Sequence, residues 1–195
     1  MITLDEATHL YYEDGVLIEN DSVTGILARE GYTNFDRVPD YKLLPAQKRG
    51  THVHDTVKLS LSGELHYEST NPLLLEYLEQ FNKFIEDYKA DVVESELAGR
   101  SKVWGYTWRL DLVLRIEEKL CIFDIKTGHP TKAAALQLIA YKMGYEETSK
   151  NKIKGGRFCL ELKPDKYGIF EYKDKADENI WKSIVTTHNA RARYI

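Results

Sequence analysis

Two neighbouring segments, apolar apart from a few charged residues, constrain the fold of this chain most strongly. Residues 108–114 read WRLDLVL and residues 120–126 read LCIFDIK, with the turn Glu117-Glu118-Lys119 between them. Segments rich in branched and aromatic residues that are joined by so short a turn predict two paired antiparallel strands. We therefore expect a protein built around a β-sheet, with charged side chains inside otherwise apolar strands.

Three charged residues in these strands form a candidate site. Side chains alternate between the two faces of a strand, so Asp124 and Lys126 project together, while Asp111 points away from the neighbouring leucines at 110, 112 and 114. Pairing of the strands brings Asp111 and Asp124 together, and their carboxylate oxygens suit Mg²⁺ or Mn²⁺. An acid two residues before a lysine occurs five more times in the chain, so the triplet is informative only in this setting.

A simpler alternative is that Asp124 and Lys126 form a surface ion pair on an edge strand. Placing two acids and a lysine among apolar residues is costly unless a partner compensates their charge. A bound cation would compensate it, which favours the metal site over the surface pair.

The remaining pattern predicts an α/β fold. Asn71-Pro72 begins the clearest helix, because asparagine caps a helix and proline suits its first position, and apolar residues follow at three- and four-residue spacing up to Tyr88. The order helix, three strands, helix, strand predicts a mixed sheet flanked by helices. Strands are expected at 91–98, 103–116, 120–126, 156–163 and 167–173, and further helices at about 46–61, 131–146 and 175–192.

The N-terminal segment is expected to add a hairpin and a short helix. Residues 9–18 place aromatic and β-branched residues around an acidic turn that contains glycine, which predicts the hairpin, and Ser22 is expected to cap the helix. Residues 33–46 are predicted to be irregular, because Pro39 and Pro45 interrupt regular structure. We expect a single domain over 1–195, with 1–45 as this N-terminal part and 46–195 as the core.

Composition narrows the class of protein. Hydrophobic residues make up 43% and charged residues 30%, as in an ordinary globular domain with a core. No apolar run is long enough to span a membrane, and the N-terminus lacks the regions of a secretory signal, so we expect a cytoplasmic protein. The two cysteines, Cys121 and Cys159, cannot supply an all-cysteine iron–sulfur cluster. The chain also lacks a Walker A loop, a zinc-spaced Cys/His set and a G-x-S-x-G elbow.

The net charge of −4 counts against a nucleic-acid-binding protein, because such proteins are more often basic. A carboxylate-rich site for divalent cations carries part of that negative charge, and local patches matter more than the sum. The charge therefore leaves a nucleic-acid substrate open.

Five motifs in this order resemble the RecB-type branch of the PD-(D/E)XK nucleases, which includes many phage exonucleases. RGTHVH (49–54) resembles the G-x-x-x-H motif, WRLDLV supplies the aspartate motif, FDIKTG supplies the D-x-K motif, and LQLIAYKMGY contains the Q-x-x-x-Y pattern. Glu96, fifteen residues before Asp111, stands where many members carry a glutamate. Family members often have glycine three residues before the aspartate, where this chain has Trp108.

The resemblance implies roles for the residues that match. His54, Asp111 and Asp124, with the Ile125 carbonyl, would bind one or two Mg²⁺ or Mn²⁺ ions. Glu96 would hold a water on the metal or a second ion. Lys126 would orient the attacking water, and a nearby metal is expected to lower its pKa.

Further residues would support the site or contact DNA. Gln137 and Tyr141 share one helical face and would buttress the site or touch a phosphate. Arg49 is expected at the DNA, and Trp108 would narrow the approach of DNA or hold a base. His52 lies close to His54 in the sequence, so the choice between them as ligand depends on the motif alone.

The resemblance implies a restriction-endonuclease-like fold with an αβββαβ core. The implied activity is metal-dependent hydrolysis of DNA by an exonuclease of phage or prophage recombination or of DNA repair. The implied partner is a single-strand annealing protein, and the implied location is the host cytoplasm. An endonuclease of the same superfamily and a catalytically inactive nucleic-acid-binding module on this fold are alternatives. So is a structural or interaction protein whose acids are surface charges.

Overall fold

A small antiparallel sheet begins the chain in the computed structural model, which describes residues 2–5, 8, 10–18, 21–33 and 38–194. Its strands β1 (Ile2–Asp5), β2 (Leu10–Glu13) and β3 (Val16–Leu17) lie in the order β1-β2-β3. β2 and β3 form the predicted hairpin, and its turn residues Asp14 and Gly15 have positive φ. The first residue of the predicted hairpin, at position 9, lies outside the described residues.

A mixed five-stranded sheet forms the centre of the fold, in the order β4-β5-β6-β7-β8. β6 and β7 are parallel, and the other neighbouring strands are antiparallel. The strands are β4 (Asp91–Ser101), β5 (Tyr106–Ile116), β6 (Lys119–Lys126), β7 (Gly156–Leu162) and β8 (Tyr167–Glu171). The helices are α1 (Val23–Arg29), α2 (Asp40–Ser62), α3 (Pro72–Tyr88), α4 (Ala133–Thr148) and α5 (Ala176–Tyr194).

This architecture confirms the predicted α/β class. A mixed sheet is flanked by helices, and the order α3-β4-β5-β6-α4-β7 is the αβββαβ order of a restriction-endonuclease-like fold. Within the described residues, no helix combines the length and the apolar character needed to cross a membrane.

Local sequence explains the ends of three helices. The Asn71 side chain accepts the Leu73 N–H at 2.9 Å at the start of α3, and Ser22 accepts the Gly25 N–H at 3.1 Å at the start of α1. Gly63 ends α2 in the left-handed conformation, with φ of 74°, which glycine adopts without steric cost. The caps at Asn71 and Ser22 lie where the sequence predicted them.

The start of α2 differs from its prediction. The helix begins at Asp40, and Pro45 lies inside it, so the prediction of irregular structure is wrong for 40–46, while residues 34–37 lie outside the described residues. Proline cannot donate to the carbonyl four residues earlier, which is that of Tyr41. The loss affects one bond near the helix end, and the following turns keep theirs.

Two apolar clusters cover the two faces of the large sheet. One cluster contains Val23, Ile26 and Leu27 of α1 together with residues of α4 and α5. The other contains Phe81 and Phe84 of α3 together with residues of α2. α1 therefore contributes to the same core as the central sheet.

β5 changes faces at the position of a predicted site residue. Leu110 packs in the first cluster, whereas Leu112 and Leu114 pack in the second, so the prediction that all three point the same way is wrong. Glu96 lies opposite Asp111 between two regular strand pairs and has a φ of 50°. A residue in the left-handed conformation changes the direction of a strand. Glu96 has this conformation and lies opposite Asp111, where β5 changes face.

Candidate metal centre and active-site cleft

Three side chains from α2, β4 and β5 converge at the change of face. The ligand atoms of His54, Glu96 and Asp111 all lie within 4.8 Å of one another. His54 Nδ1 is 3.5 Å from Glu96 Oε1 and 3.6 Å from Asp111 Oδ1. Two carboxylates and an imidazole this close form a group that can bind a metal ion.

The backbone of Ile125 holds two members of this group in place. Cα pairing between β5 and β6 extends from the turn to Leu112 and Phe123. Beyond that pair, the Asp111 carboxylate accepts the Ile125 N–H at 2.6 Å, and the Ile125 carbonyl lies 3.0 Å from His54 Nε2. Because a carbonyl only accepts, Nε2 donates, and Nδ1 is turned toward the carboxylates. Ile125, expected as a metal ligand, here orients the histidine.

The cluster retains protons near neutral pH. Burial alone would lower the pKa of His54, but the carboxylates of Asp111 and Glu96 outweigh it and raise the pKa to about 9. Burial raises the pKa of Asp111 to about 7, against the opposing charge of His54. A cation bound by these groups would have to displace their protons.

Asp124 and Lys126 lie beside the cluster as a close ion pair. Lys126 Nζ is 2.6 Å from Asp124 Oδ2, and the Cys159 thiol lies 3.7 Å from the same oxygen. Asp124 is 2% exposed and β6 is the central strand of the sheet, so the alternative of a surface pair on an edge strand is wrong. The carboxylate expected to bind metal is compensated here by Lys126, and the close group of three contains Glu96 in its place.

The pKa of Lys126 is raised in the chain by itself, whereas the expected lowering concerns a site with a bound cation. Burial by itself would lower this pKa, but the carboxylates of Asp124 and Asp111 outweigh burial and raise it. Lys126 is therefore an ammonium group in this arrangement. It can donate hydrogen bonds, and it cannot accept a proton.

Two residues of α4 support Lys126. Lys126 Nζ donates to Gln137 Oε1 at 3.3 Å, and Gln137 Nε2 donates to the Tyr141 hydroxyl at 2.8 Å. Burial raises the pKa of Tyr141 well above its ordinary value, so its hydroxyl is neutral. The i, i+4 spacing thus places both side chains behind the lysine.

The cluster opens into a cleft of about 680 Å³. His54, Glu96 and Lys126 line it, and most of the further ionisable side chains on its walls are cations or histidine: Arg49, Lys58, Arg109 and His129, with Asp55 as one further acid. Arg109 Nε is 3.3 Å from Glu96 Oε2. A cleft with cationic walls suits a polyanion, although the chain as a whole is acidic.

The positions of His54, Arg49 and Trp108 bear on the roles that the sequence predicted for them. His54 enters the cluster, whereas His52 is exposed. Arg49 lines the cleft, as expected for a residue near DNA. Trp108 is 1% exposed and packs in the core, so the prediction that it narrows the approach of DNA or holds a base is wrong. Its indole fills the space beside two glycines, at 99 and 144, where a Cβ atom would collide with it.

Sequence reasoning missed several side chains that line the cleft. Arg109 lies two residues before Asp111, and His129 lies three residues after Lys126. Proximity to the motifs was the available signal for both. Lys58 is one helical turn after His54 on α2, and this spacing was the signal for it.

Comparison with solved structures gives one similar fold at a TM-score of 0.50. No protein-family model and no curated protein matches the sequence. A candidate exonuclease from Eubacterium rectale is similar over 86% of this chain and 71% of that chain, with a TM-score of 0.50 and 13% identity. SSO0001 aligns over 87% and 84% of the two chains, with a TM-score of 0.40 and 15% identity. LHK-Exo in complex with dAMP aligns over 90% and 89%, with a TM-score of 0.45 and 10% identity.

The fold and the cluster together define a class of protein. The chain has a restriction-endonuclease-like arrangement of strands and helices, and it carries an acid–histidine group able to bind a metal ion beside a Lys126–Asp124 ion pair whose carboxylate is buried.

Proposed function

We propose that this protein is a metal-dependent deoxyribonuclease of the RecB-type branch of the PD-(D/E)XK nucleases. The observation that carries the proposal is that the metal-binding group and the ammonium of Lys126, which is paired with the buried Asp124, lie in one cleft. His54, Glu96 and Asp111 lie within 4.8 Å of one another, and Lys126 lines the same cleft. This combination is suited to an anionic ester such as a DNA phosphodiester.

The donor chemistry fits a divalent cation. His54, Glu96 and Asp111 would hold Mg²⁺ or Mn²⁺, because carboxylate oxygens suit both ions and imidazole binds transition metals. Asp124, beside Lys126, supplies a further carboxylate at the site. When bound, such an ion lowers the pKa of water and offsets negative charge on the phosphoryl group.

The chain's own groups would position the substrate and the water. Lys126, held by Gln137, donates hydrogen bonds to the attacking water or to a phosphoryl oxygen and compensates its charge. Arg49 and Lys58, on the cleft wall, contact phosphates of the bound strand. Glu96 orients His54 and Arg109 through its two oxygens.

DNA cleavage by variants tests the proposal. In the presence of Mg²⁺ or Mn²⁺, we expect Lys126→Ala, Asp111→Asn and Asp124→Ala to lose activity by about 10²-fold or more, as removal of one transition-state donor does. Lys173→Ala is the matched control, because Glu171 and Lys173 have the same spacing and form an exposed pair at 2.7 Å. Equal activity of the parent and all four variants would contradict the proposal.

We further propose that the enzyme degrades DNA from ends and works with a single-strand annealing protein in the cytoplasm. Linear duplex should be degraded, and a closed circle of the same sequence should remain intact. Rapid cutting of the circle would favour an endonuclease of the same superfamily. Absence of Mn²⁺ binding in calorimetry would favour the catalytically inactive binding module.

A further inference from the structure

We propose that His129 and Glu161 form a phosphate-binding pair at the edge of the cleft, which positions the DNA strand next to the phosphate being hydrolysed. The inference rests on the proposed nuclease function. His129 would contact the substrate and Glu161 would position His129, and both residues lie outside the matching motifs.

Glu161 is a buried acid with one unsatisfied oxygen. It lies on β7 beside Lys126 of β6 and is 6% exposed. Its Oε2 is 3.2 Å from Lys163 Nζ, whereas its Oε1 is buried with no hydrogen-bond partner among the described residues. A buried carboxylate oxygen without a partner is costly, so the site is incomplete without a donor.

His129 is placed to supply that donor. Its Nδ1 lies 4.0 Å from Glu161 Oε1, and its ring meets Phe170 edge to face at 5.0 Å. A shift of about 1 Å would bring Nδ1 to hydrogen-bonding distance. The side chain is 76% exposed, so movement into this position is not blocked by packing.

A hydrogen bond between His129 Nδ1 and Glu161 would leave Nε2, the other ring nitrogen, free to face the cleft. With Nδ1 bound to Glu161, Nε2 is the free end of the ring, and His129 lines the cleft that contains Lys126 and His54. An imidazolium between a carboxylate and a phosphate donates a charge-assisted hydrogen bond to each. The buried acid and the DNA phosphate would thus hold the same cation from its two ends.

The position of His129 assigns it to a neighbouring phosphate. Three residues of chain span at most about 10 Å, so His129 lies near Lys126 but on the loop that follows β6. An anion suits this place better than a metal ion, because His129 and Glu161 belong to no close group of three metal-ligating side chains in the described part of the chain.

Steady-state cleavage of a short linear duplex tests the pair. His129→Ala should raise KM about tenfold and change kcat less than twofold, because a phosphate contact is lost without loss of the hydrolytic groups. The slope of log KM against log salt should become shallower by about one, as expected for one fewer phosphate contact. His129→Arg should restore KM, because it keeps a cation between the carboxylate and the phosphate.

Coupling between the two residues provides a second readout. Glu161→Gln should raise KM in the parent and should add little in the His129→Ala background, since a residue that acts through another shows a non-additive effect. Thermal unfolding of each variant checks that it is folded. His66→Ala is the control, because this exposed histidine does not line the cleft.

The outcomes separate this inference from the proposed function. If the parent cleaves DNA and Lys126→Ala does not, while His129→Ala keeps the parent KM and salt slope, the phosphate pair is rejected and the nuclease function stands. A fall in kcat at unchanged KM also rejects it. A parent that neither binds nor cleaves DNA overturns both.

Discussion

At the scale of single residues, the candidate metal centre competes with protons for its ligands. The pKa of His54 is about 9 and that of Asp111 is about 7, and both lie above the ordinary values for these groups. Each group holds its proton more tightly in the folded chain than in the unfolded one. Their contribution to the stability of the chelator-treated protein therefore falls as the pH rises through 7 and 9.

Metal affinity should change with pH in the opposite direction. Because a bound cation requires the unprotonated form of His54, Mn²⁺ affinity should rise about tenfold per pH unit between pH 7 and pH 9. Below pH 7, protonation of Asp111 should make the dependence steeper. Calorimetry from pH 6.5 to 8.5 measures both the affinity and the protons released. His54→Gln should bind Mn²⁺ weakly at every pH in this range, and a flat profile for the parent would contradict the assignment.

How far the site could be predicted depends on which residue is considered. The face shared by Asp124 and Lys126 follows from strand alternation alone, and the ion pair at 2.6 Å has that geometry. The close association of Glu96 with His54 depends on a left-handed backbone at Glu96. A pattern of apolar residues cannot predict this conformation, because only one residue adopts it. The strand pairs on either side of Glu96 stay in register.

At the scale of elements, the β5–β6 hairpin has a strained turn. Ile116 pairs with Lys119, so the loop consists of Glu117 and Glu118, and both have positive φ, 49° and 62°. A two-residue loop of this kind favours Asn-Gly, and each L-residue in the left-handed region costs about 1–2 kcal/mol. The sequence predicted the hairpin from its strands, since the turn residues themselves disfavour it.

Relief of this strain should stabilise the protein. We expect the double variant Glu117→Asn, Glu118→Gly to gain about 1–2 kcal/mol, which corresponds to a rise in Tm of roughly 3–6 °C for a chain of this size. Glu79→Gly is the matched control, because this exposed residue lies inside α3, where glycine costs about 1 kcal/mol. Differential scanning calorimetry should show opposite signs. A Tm that falls in both would show that the turn is not strained.

The packing of α4 on the sheet depends on Trp108, whose side chain packs against Gly99 and Gly144. A Cβ atom added at Gly144 of α4 would lie 2.2 Å from the Trp108 indole nitrogen, and Trp108 is 1% exposed. From the sequence, a tryptophan at a position often occupied by glycine suggested a role at the DNA. Its two glycine partners are 9 and 36 residues away in the chain, so only the folded structure shows that it fills a space in the core.

Gly144→Ala should therefore destabilise the protein even though alanine is the better helix former. Overpacking costs about 1–3 kcal/mol and exceeds the gain of about 1 kcal/mol in helix propensity. Urea denaturation measures the difference, and Trp108→Phe should recover part of the loss in the double variant. Gly128→Ala is the control, because a Cβ atom there meets nothing within 4 Å. Equal stability of both glycine variants would contradict the close packing.

At the scale of the whole molecule, the two ends of the chain are joined in one core. Val23, Ile26 and Leu27 of α1 pack with Trp181 and Val185 of α5. The predicted division into a 1–45 segment and a 46–195 core follows the order of the sequence. It does not follow the packing, because α1 shares a core cluster with α4 and α5. The helical pattern of 23–29 predicted a helix, but it could not show which surface that helix covers.

A buried histidine of α5 connects these ends. His188 Nε2 lies 2.7 Å from Asp21 Oδ2, and His188 Nδ1 lies 3.1 Å from Glu30 Oε1. Arg191 also reaches Glu30, at 2.7 Å. Both ring nitrogens face carboxylates, so the ring connects the segment before α1 with the residue that follows the helix. Sequence reasoning assigned no role to His188, because its partners lie more than 150 positions away.

Loss of His188 should weaken the association between the ends of the chain. His188→Ala removes a 9%-exposed side chain and leaves Asp21 and Glu30 without one shared partner, which should cost about 2–3 kcal/mol. Urea denaturation followed by circular dichroism gives this value, and hydrogen exchange should show faster opening of α1 than of α3. His66→Ala, at an exposed histidine, should change stability by less than about 0.5 kcal/mol. If both histidine variants were equally stable, the contacts of His188 would not contribute to the association of α1 with α5.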